Sequence, residues 1–181
     1  MNEARPDLKS SKVVYSGRVF SVAVDQVAYP GERVLTMEVV RHPGSVVLLP
    51  MTANDRILLV RQYRYVVNRW LWELPAGTRE TVESLEAAAR RECHEEAGKI
   101  AGNAKKLLSL FPSPGFCDEE MHFFLLTDLR DRSPDEAAPH QDPDELLTVK
   151  EFSVKDVREM IRTGEICDMK TAVGITLVNQ G

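Results

Sequence analysis

The chain has 181 residues, 43% hydrophobic and 28% charged, with a formal net charge of −5. That size holds one domain with a real core, and the acidic balance argues against a binder of nucleic-acid backbone. No apolar run reaches the roughly 18 residues of a membrane span, and the polar start MNEARPDLKSSK lacks the apolar segment of a secretory signal. Three cysteines, Cys93, Cys117 and Cys167, are far apart and odd in number, which suits neither a disulfide framework nor a zinc site. The expectation is a cytoplasmic protein with reduced thiols and no membrane or nucleic-acid partner.

In chain order, residues 1–11 read as a loose tail. From Lys12 to Pro50 the chain alternates and is rich in β-branched residues, with Pro30-Gly31 as a turn between strand-like runs near 18–27 and 33–41. An antiparallel meander follows from that pattern. So small a ribbon buries little alone and needs another surface, in its own domain or on a second subunit. Val46–Leu49 and Ile57–Gln62 read as strands around an Asn54-Asp55 turn. RQYRYVVNRWLWELPAG, residues 61–77, then brings Arg61, Arg64 and Arg69 together with Trp70 and Trp72. Arginine's planar fork matches phosphate oxygens, so this cluster suits a polyanionic ligand.

Ser84 to Ala97 reads as one helix. Leu, Glu, Ala and Arg favour it, Ser84 serves as N-cap, and Gly98 stands at the stop. At 100° per residue, Leu85, Ala88, Ala89, Glu92 and Glu96 share a stripe with Glu95 at its border, while Arg90 and His94 face away. The inward stripe therefore begins apolar and ends acidic. Carboxylates on a buried face are paired or bind a cation. Strands follow at 105–110, 121–127 and 146–152, with a turn-rich SPGFCDEEMH loop at 113–122 and a proline-rich acidic loop at 130–145. Two helices close the chain, one from Ser153 to Thr163 with Gly164 as its stop, and one over 169–179.

Gly77, Glu83, Arg91, Glu92, Glu95, Glu96 and Gly98 stand at the spacing of a known signature, which this chain resembles: that of the Nudix hydrolase family. Cys93 and Lys99 depart from it at two positions where the family usually has apolar side chains. RQYR, ELPAG and SPGFCDE in that order, with Pro114 following Gly98 by 16 residues, resemble the ADP-ribose pyrophosphatase subfamily, as does YSGRVF at 15–20. The resemblance covers residues 13–178. It implies an α/β fold, an α/β/α sandwich with a mixed sheet, preceded by the antiparallel meander. On that reading residues 1–45 carry the tail and N-terminal strands, and 46–181 the hydrolase domain. It further implies a homodimer that exchanges N-terminal strands.

The implied activity is hydrolysis of ADP-ribose to AMP and ribose 5-phosphate with Mg²⁺ or Mn²⁺. The alternatives are another nucleoside-diphosphate sugar or dinucleotide, such as GDP-mannose, or a domain that binds a nucleotide without cleaving it. By match of position, Glu92, Glu95, Glu96 and the Ala76 carbonyl hold metal, Arg91 orients the glutamates, and Glu83 braces the loop. Oxygen donors suit a hard cation. Arg64, Arg61 and Arg18 are expected on the diphosphate, and Glu119, with Gly115 and Phe116 of the same loop, on the substrate. Phe20, Val19 and Trp70 are candidates for adenine. The general base is expected at Glu145, with Asp144 and Asp142 as competitors.

Overall fold

Backbone pairing begins earlier than side-chain alternation suggests. In the computed structural model, which describes residues 5–31, 33–53, 55–80, 82–135 and 147–178, the first strand is β1 (Asp7–Ser16). The expected loose tail is therefore shorter by its last five residues. β1 pairs antiparallel with β2 (Ser21–Tyr29), with register shifts between Leu8 and Ser10 and between Val13 and Tyr15. Every β1 residue is exposed. Its order comes from the backbone ladder offered by β2 and not from an apolar face, which is why a polar run such as Lys9–Ser11 gives no strand signal. β2 pairs in turn with β3 (Arg33–Arg41), completing the meander around the Pro30-Gly31 turn, where Gly31 has φ 87°.

The chain forms two compact units. One holds residues 1–44 together with 110–121; the other holds 45–109 and 122–181. In the first, the loop after residue 110 is laced to β3. Val40 N–H donates to the Phe116 carbonyl at 2.8 Å, and Asp118 N–H donates to the Val40 carbonyl at 3.1 Å.

The second unit is built on a mixed sheet of β4 (Ser45–Thr52), β5 (Arg56–Arg64), β6 (Arg69–Glu73), β7 (Ala76–Thr78), β8 (Ile100–Leu110), β9 (Met121–Arg130) and β10 (Leu147–Ser153). The main path runs β10-β5-β4-β9-β8, with β6 on β5 and β7 on β4. Six consecutive β4 residues, Ser45 to Pro50, are buried, so both faces of this strand are covered. On one face Val46 and Leu48 pack with Ala88, Ala89, Cys93 and Ala97 of helix α1 (Leu85–Ala97), together with Phe124 and Leu126. On the other, α3 (Met169–Thr176) comes so close that a Cβ on Gly174 would lie 2.4 Å from Leu74 Cδ1. α2 (Val154–Thr163) packs on α3 and β10.

The helix boundaries follow the capping rules. Ser84 Oγ accepts from Ala87 N–H at 3.1 Å, and Gly98 is left-handed at φ 65°. Ser153 and Gly164 do the same for α2. β6 has no counterpart in the expected elements. It returns along β5 through a 3-10 turn at Tyr65–Val67 and a left-handed Asn68. An asparagine tolerates that conformation at low cost, which makes the hairpin possible without glycine.

Candidate active site

Helix α1 brings the acidic end of its inward stripe against the β7 segment. Glu92 and Glu96 are 8% and 5% exposed, burial that ionised carboxylates tolerate only with partners. Glu96 Oε2 accepts from Ala76 N–H at 2.9 Å, which ties the carboxylate to the strand that pairs with Val47. A Cβ built on Gly77 would lie 1.9 Å from Glu92 Cδ and 2.0 and 2.3 Å from its two oxygens. The signature needs glycine there because the glutamate side chain occupies that space.

Arg91 gathers the carboxylates. Its Nε and Nη2 donate to Glu83 at 3.2 and 2.6 Å, and its Nη1 donates to Glu92 at 2.7 Å and to Glu95 at 2.8 Å. Glu83 first, then Glu92 and Glu95, raise the guanidinium pKa above its ordinary value against an opposing effect of burial. The same pairing holds the Glu83 carboxyl below the usual range, helped by the Glu80 N–H at 3.0 Å. One cation thus serves three carboxylates. Carboxylate and carbonyl oxygens, the donor types expected here, are hard ligands of the kind that Mg²⁺ and Mn²⁺ take. Among the described residues, no three of His, Cys, Asp or Glu converge tightly enough to enclose an ion as they stand. The donor types fit a divalent cation, while Arg91 and Ala76 N–H hold the carboxylates in this arrangement.

The β5–β6 hairpin separates Arg61 and Arg64, two of the three arginines expected on the diphosphate. Val60 pairs with Glu73, Gln62 with Leu71 and Arg64 with Arg69, so Arg64 and Glu73 share one face of the ribbon. Arg61, Tyr63, Trp70 and Trp72 share the other. There the Arg61 guanidinium lies 5.6 Å from the Trp70 ring centroid and 6.0 Å from that of Trp72. Arg61 and Arg64 therefore do not form one clamp, because adjacent strand parity sends them to opposite faces. Arg64 donates in a fork to Glu73, Nε to Oε1 at 2.9 Å and Nη2 to Oε2 at 2.7 Å. This bond, together with the charges of Glu73, Glu96 and Asp168, raises its pKa against the lowering effect of burial.

Glu73 is a site residue that sequence reasoning missed, as is Lys170, whose ammonium also reaches Glu73 Oε2. The available signal was strand period, which sets Glu73 on Arg64's face, and a lysine in the otherwise apolar run MKTAVGIT.

The other expected substrate residues lie in the first unit. Arg18 and Phe116 are exposed, and Glu119 is half-buried with its Oε1 3.9 Å from His42 Nδ1. Gly115 and Phe116 line a cleft of about 350 Å³ with Met37, Val39 and Phe111. Phe20 packs on Tyr15 at 5.8 Å, and Val19 beside it is exposed. Trp70, in the second unit, packs at a tilt against Tyr63, with ring centroids 5.6 Å apart. Arg41 bridges Asp25 and Asp118, which fixes the base of the 113–118 loop and had no place in the expectations. Glu145, Asp144 and Asp142 fall outside the described residues.

Known proteins resemble this one over nearly its whole length. An ADP-ribose pyrophosphatase of Bacillus subtilis is 36% identical over 90% of this chain and 86% of its own. One of Mycobacterium tuberculosis is 35% identical over 94% and 81%. A GDP-mannose pyrophosphatase of Escherichia coli K12 is 33% identical over 75% and 77%. A solved structure described as an ADP compounds hydrolase superposes with a TM-score of 0.79 at 18% identity, over 98% of this chain and 94% of that one, which supports the shared fold. The NUDIX domain model matches residues 41–167, and with the signature carboxylates gathered on α1 by Arg91, this chain belongs to the Nudix family.

Proposed function

We propose that this protein hydrolyses the pyrophosphate bond of ADP-ribose, giving AMP and ribose 5-phosphate. The observation that carries the reading is the shared guanidinium of Arg91, which holds Glu83, Glu92 and Glu95 beside the Ala76–Glu96 contact. The substrate is supported by the two ADP-ribose pyrophosphatases at 36% and 35% identity.

Glu92, Glu95, Glu96 and the Ala76 carbonyl would hold Mg²⁺ or Mn²⁺. When bound, such an ion neutralises charge on the phosphoryl oxygens and makes a coordinated water more acidic. The chain's own residues do the rest. Arg91 keeps Glu92 and Glu95 together beside the Ala76–Glu96 contact, which limits the rearrangement needed when metal and substrate arrive. Glu83 anchors Arg91 in turn. Arg64 presents a guanidinium to the diphosphate, and Arg18 reaches it from the N-terminal strands. Glu145 takes the proton of the attacking water, with Asp144 and Asp142 as the competing candidates. Glu119, Gly115 and Phe116 contact the terminal ribose side, and Phe20, Val19 or Trp70 covers adenine.

The protein acts as a cytoplasmic homodimer on this reading. Leu8, Val13, Val14 and Tyr15 leave a strand with apolar side chains exposed, which supports pairing with a second copy. No helix among the described residues is long and apolar enough to cross a membrane.

A second reading, supported by the GDP-mannose pyrophosphatase at 33% identity, is cleavage of a different nucleoside-diphosphate sugar. A panel of ADP-ribose, GDP-mannose and diadenosine polyphosphate with Mg²⁺ separates them. The proposal requires the highest kcat/KM on ADP-ribose. Faster cleavage of GDP-mannose would replace it with the second reading, and tight binding of intact ADP-ribose in the presence of metal would make the protein a sensor.

A further inference from the structure

We infer that Lys170 is a positioning residue for Arg64, acting through the buried carboxylate of Glu73, and that it thereby sets the affinity for a diphosphate. The inference rests on the reading that Arg64 binds the diphosphate.

Glu73 and Lys170 have side chains only 2% and 8% exposed. Burying two charges is costly even when they pair, and an apolar pair of the same volume often packs as well or better. Attaching α3 to the sheet does not need them. Thr171 Oγ1 already accepts from Leu74 N–H at 2.7 Å, and Gly174 lets the helix settle directly on Leu74. Asp168 caps the helix by accepting from Thr171 N–H at 3.0 Å. The ion pair therefore serves something that the helix anchor does not.

What it serves is visible in how the Glu73 oxygens are shared. Oε1 accepts from Arg64 Nε, while Oε2 accepts from Arg64 Nη2 and from Lys170. Lys170 shares Oε2 with the fork, and this further donor restrains the carboxylate and, through it, the guanidinium. Nη1 is then the Arg64 nitrogen outside the fork, on a side chain still 41% exposed. Arg64 also feels the charge of Glu96, so it stands within electrostatic reach of the acidic helix.

Lys170 acts on the field as well. Arg64 and Glu73 alone would cancel. Lys170, which also touches Asp168 at 3.2 Å, balances the second carboxylate. Removing its charge leaves a surplus negative charge beside the group that must attract a dianionic pyrophosphate.

The test is a double-mutant cycle on the full chain, read by calorimetric binding in EDTA, so that neither metal nor turnover enters. ADP-ribose is the first probe and inorganic pyrophosphate the second. K170M should weaken both about tenfold, and K170R should restore affinity to within about threefold of wild type. In an Arg64→Met background, K170M should add less than about threefold, because its effect passes through Arg64. T171V should lower the melting temperature and leave both affinities unchanged. If K170M does not fold, K170Q, which keeps a donor without the charge, carries the same expectations.

Unchanged binding in K170M, effects of K170M and R64M that multiply, or a T171V variant that loses affinity like K170M would each overturn the inference. If pyrophosphate binding is coupled through Lys170 but ADP-ribose is not hydrolysed with Mg²⁺, the substrate reading falls and this inference stands. If neither probe binds, the role of Arg64 and the inference fall together.

Discussion

Gly77 carries as much of the site as any carboxylate does. Its missing side chain is the space that the Glu92 carboxyl fills, and an added Cβ would lie only 1.9 to 2.3 Å from the carboxyl atoms. Gly77→Ala should therefore push Glu92 off Arg91 and destabilise the fold by about 1–3 kcal/mol, the usual cost of overpacking. Turnover should fall about a hundredfold, since a displacement near 1 Å costs that much at a reacting centre. Urea midpoints and kcat on the same preparation separate the two effects. Wild-type turnover in the variant would mean that Glu92 is not held where the site needs it. The burial of Glu92 and Glu96 was legible because the apolar stripe of α1 becomes acidic without changing face. Cys93, on the same buried side, is simply core: burial pushes its thiol up to about 12, so it is inert at neutral pH.

At the scale of elements, helices were easier to read than strands. α1 and α2 begin at serines whose side chains cap the first turn and end at left-handed glycines, and such local chemistry needs no tertiary information. β1 and β6 were not legible, because each depends on a neighbour that supplies its hydrogen bonds. The β5–β6 hairpin has a consequence for pH. Burial alone would raise the Glu73 carboxyl, but Arg64 and Lys170 more than offset it, and the net shift is downward. A carboxyl depressed in the folded state contributes stability that is fully present above its unfolded pKa of about 4.3 and is lost as pH falls through the folded value. Glu83, held down by Arg91, adds to the same loss. Urea midpoints should thus hold steady from neutral pH to near 5 and drop below about 4, and Glu73→Gln should flatten that drop. A wild-type midpoint insensitive to acid would contradict the paired, ionised state of both glutamates.

The residues proposed for the site fall in two units of the chain. The acidic helix, its arginine and the buried Glu73–Lys170 pair belong to one; Arg18, Phe116 and Glu119 belong to the other. Motif spacing revealed the helix and its arginine, because a single helix and its preceding loop carry them, but not Glu73 and Lys170, which come together only through the hairpin and the last helix. The second set was reached only through resemblance, since no local periodicity links residue 18 to residue 119. The general base rests on resemblance as well, as the loop before β10 offers Asp142, Asp144 and Glu145 within four positions. On the proposed function, water is directed at the pyrophosphate of ADP-ribose. Phosphorus NMR of a turnover in heavy-oxygen water with Mg²⁺ tests it most directly. The account predicts AMP and ribose 5-phosphate as the only products, with the heavy oxygen on one of the two phosphates. Intact ADP-ribose, or products from a bond other than the pyrophosphate, would contradict it.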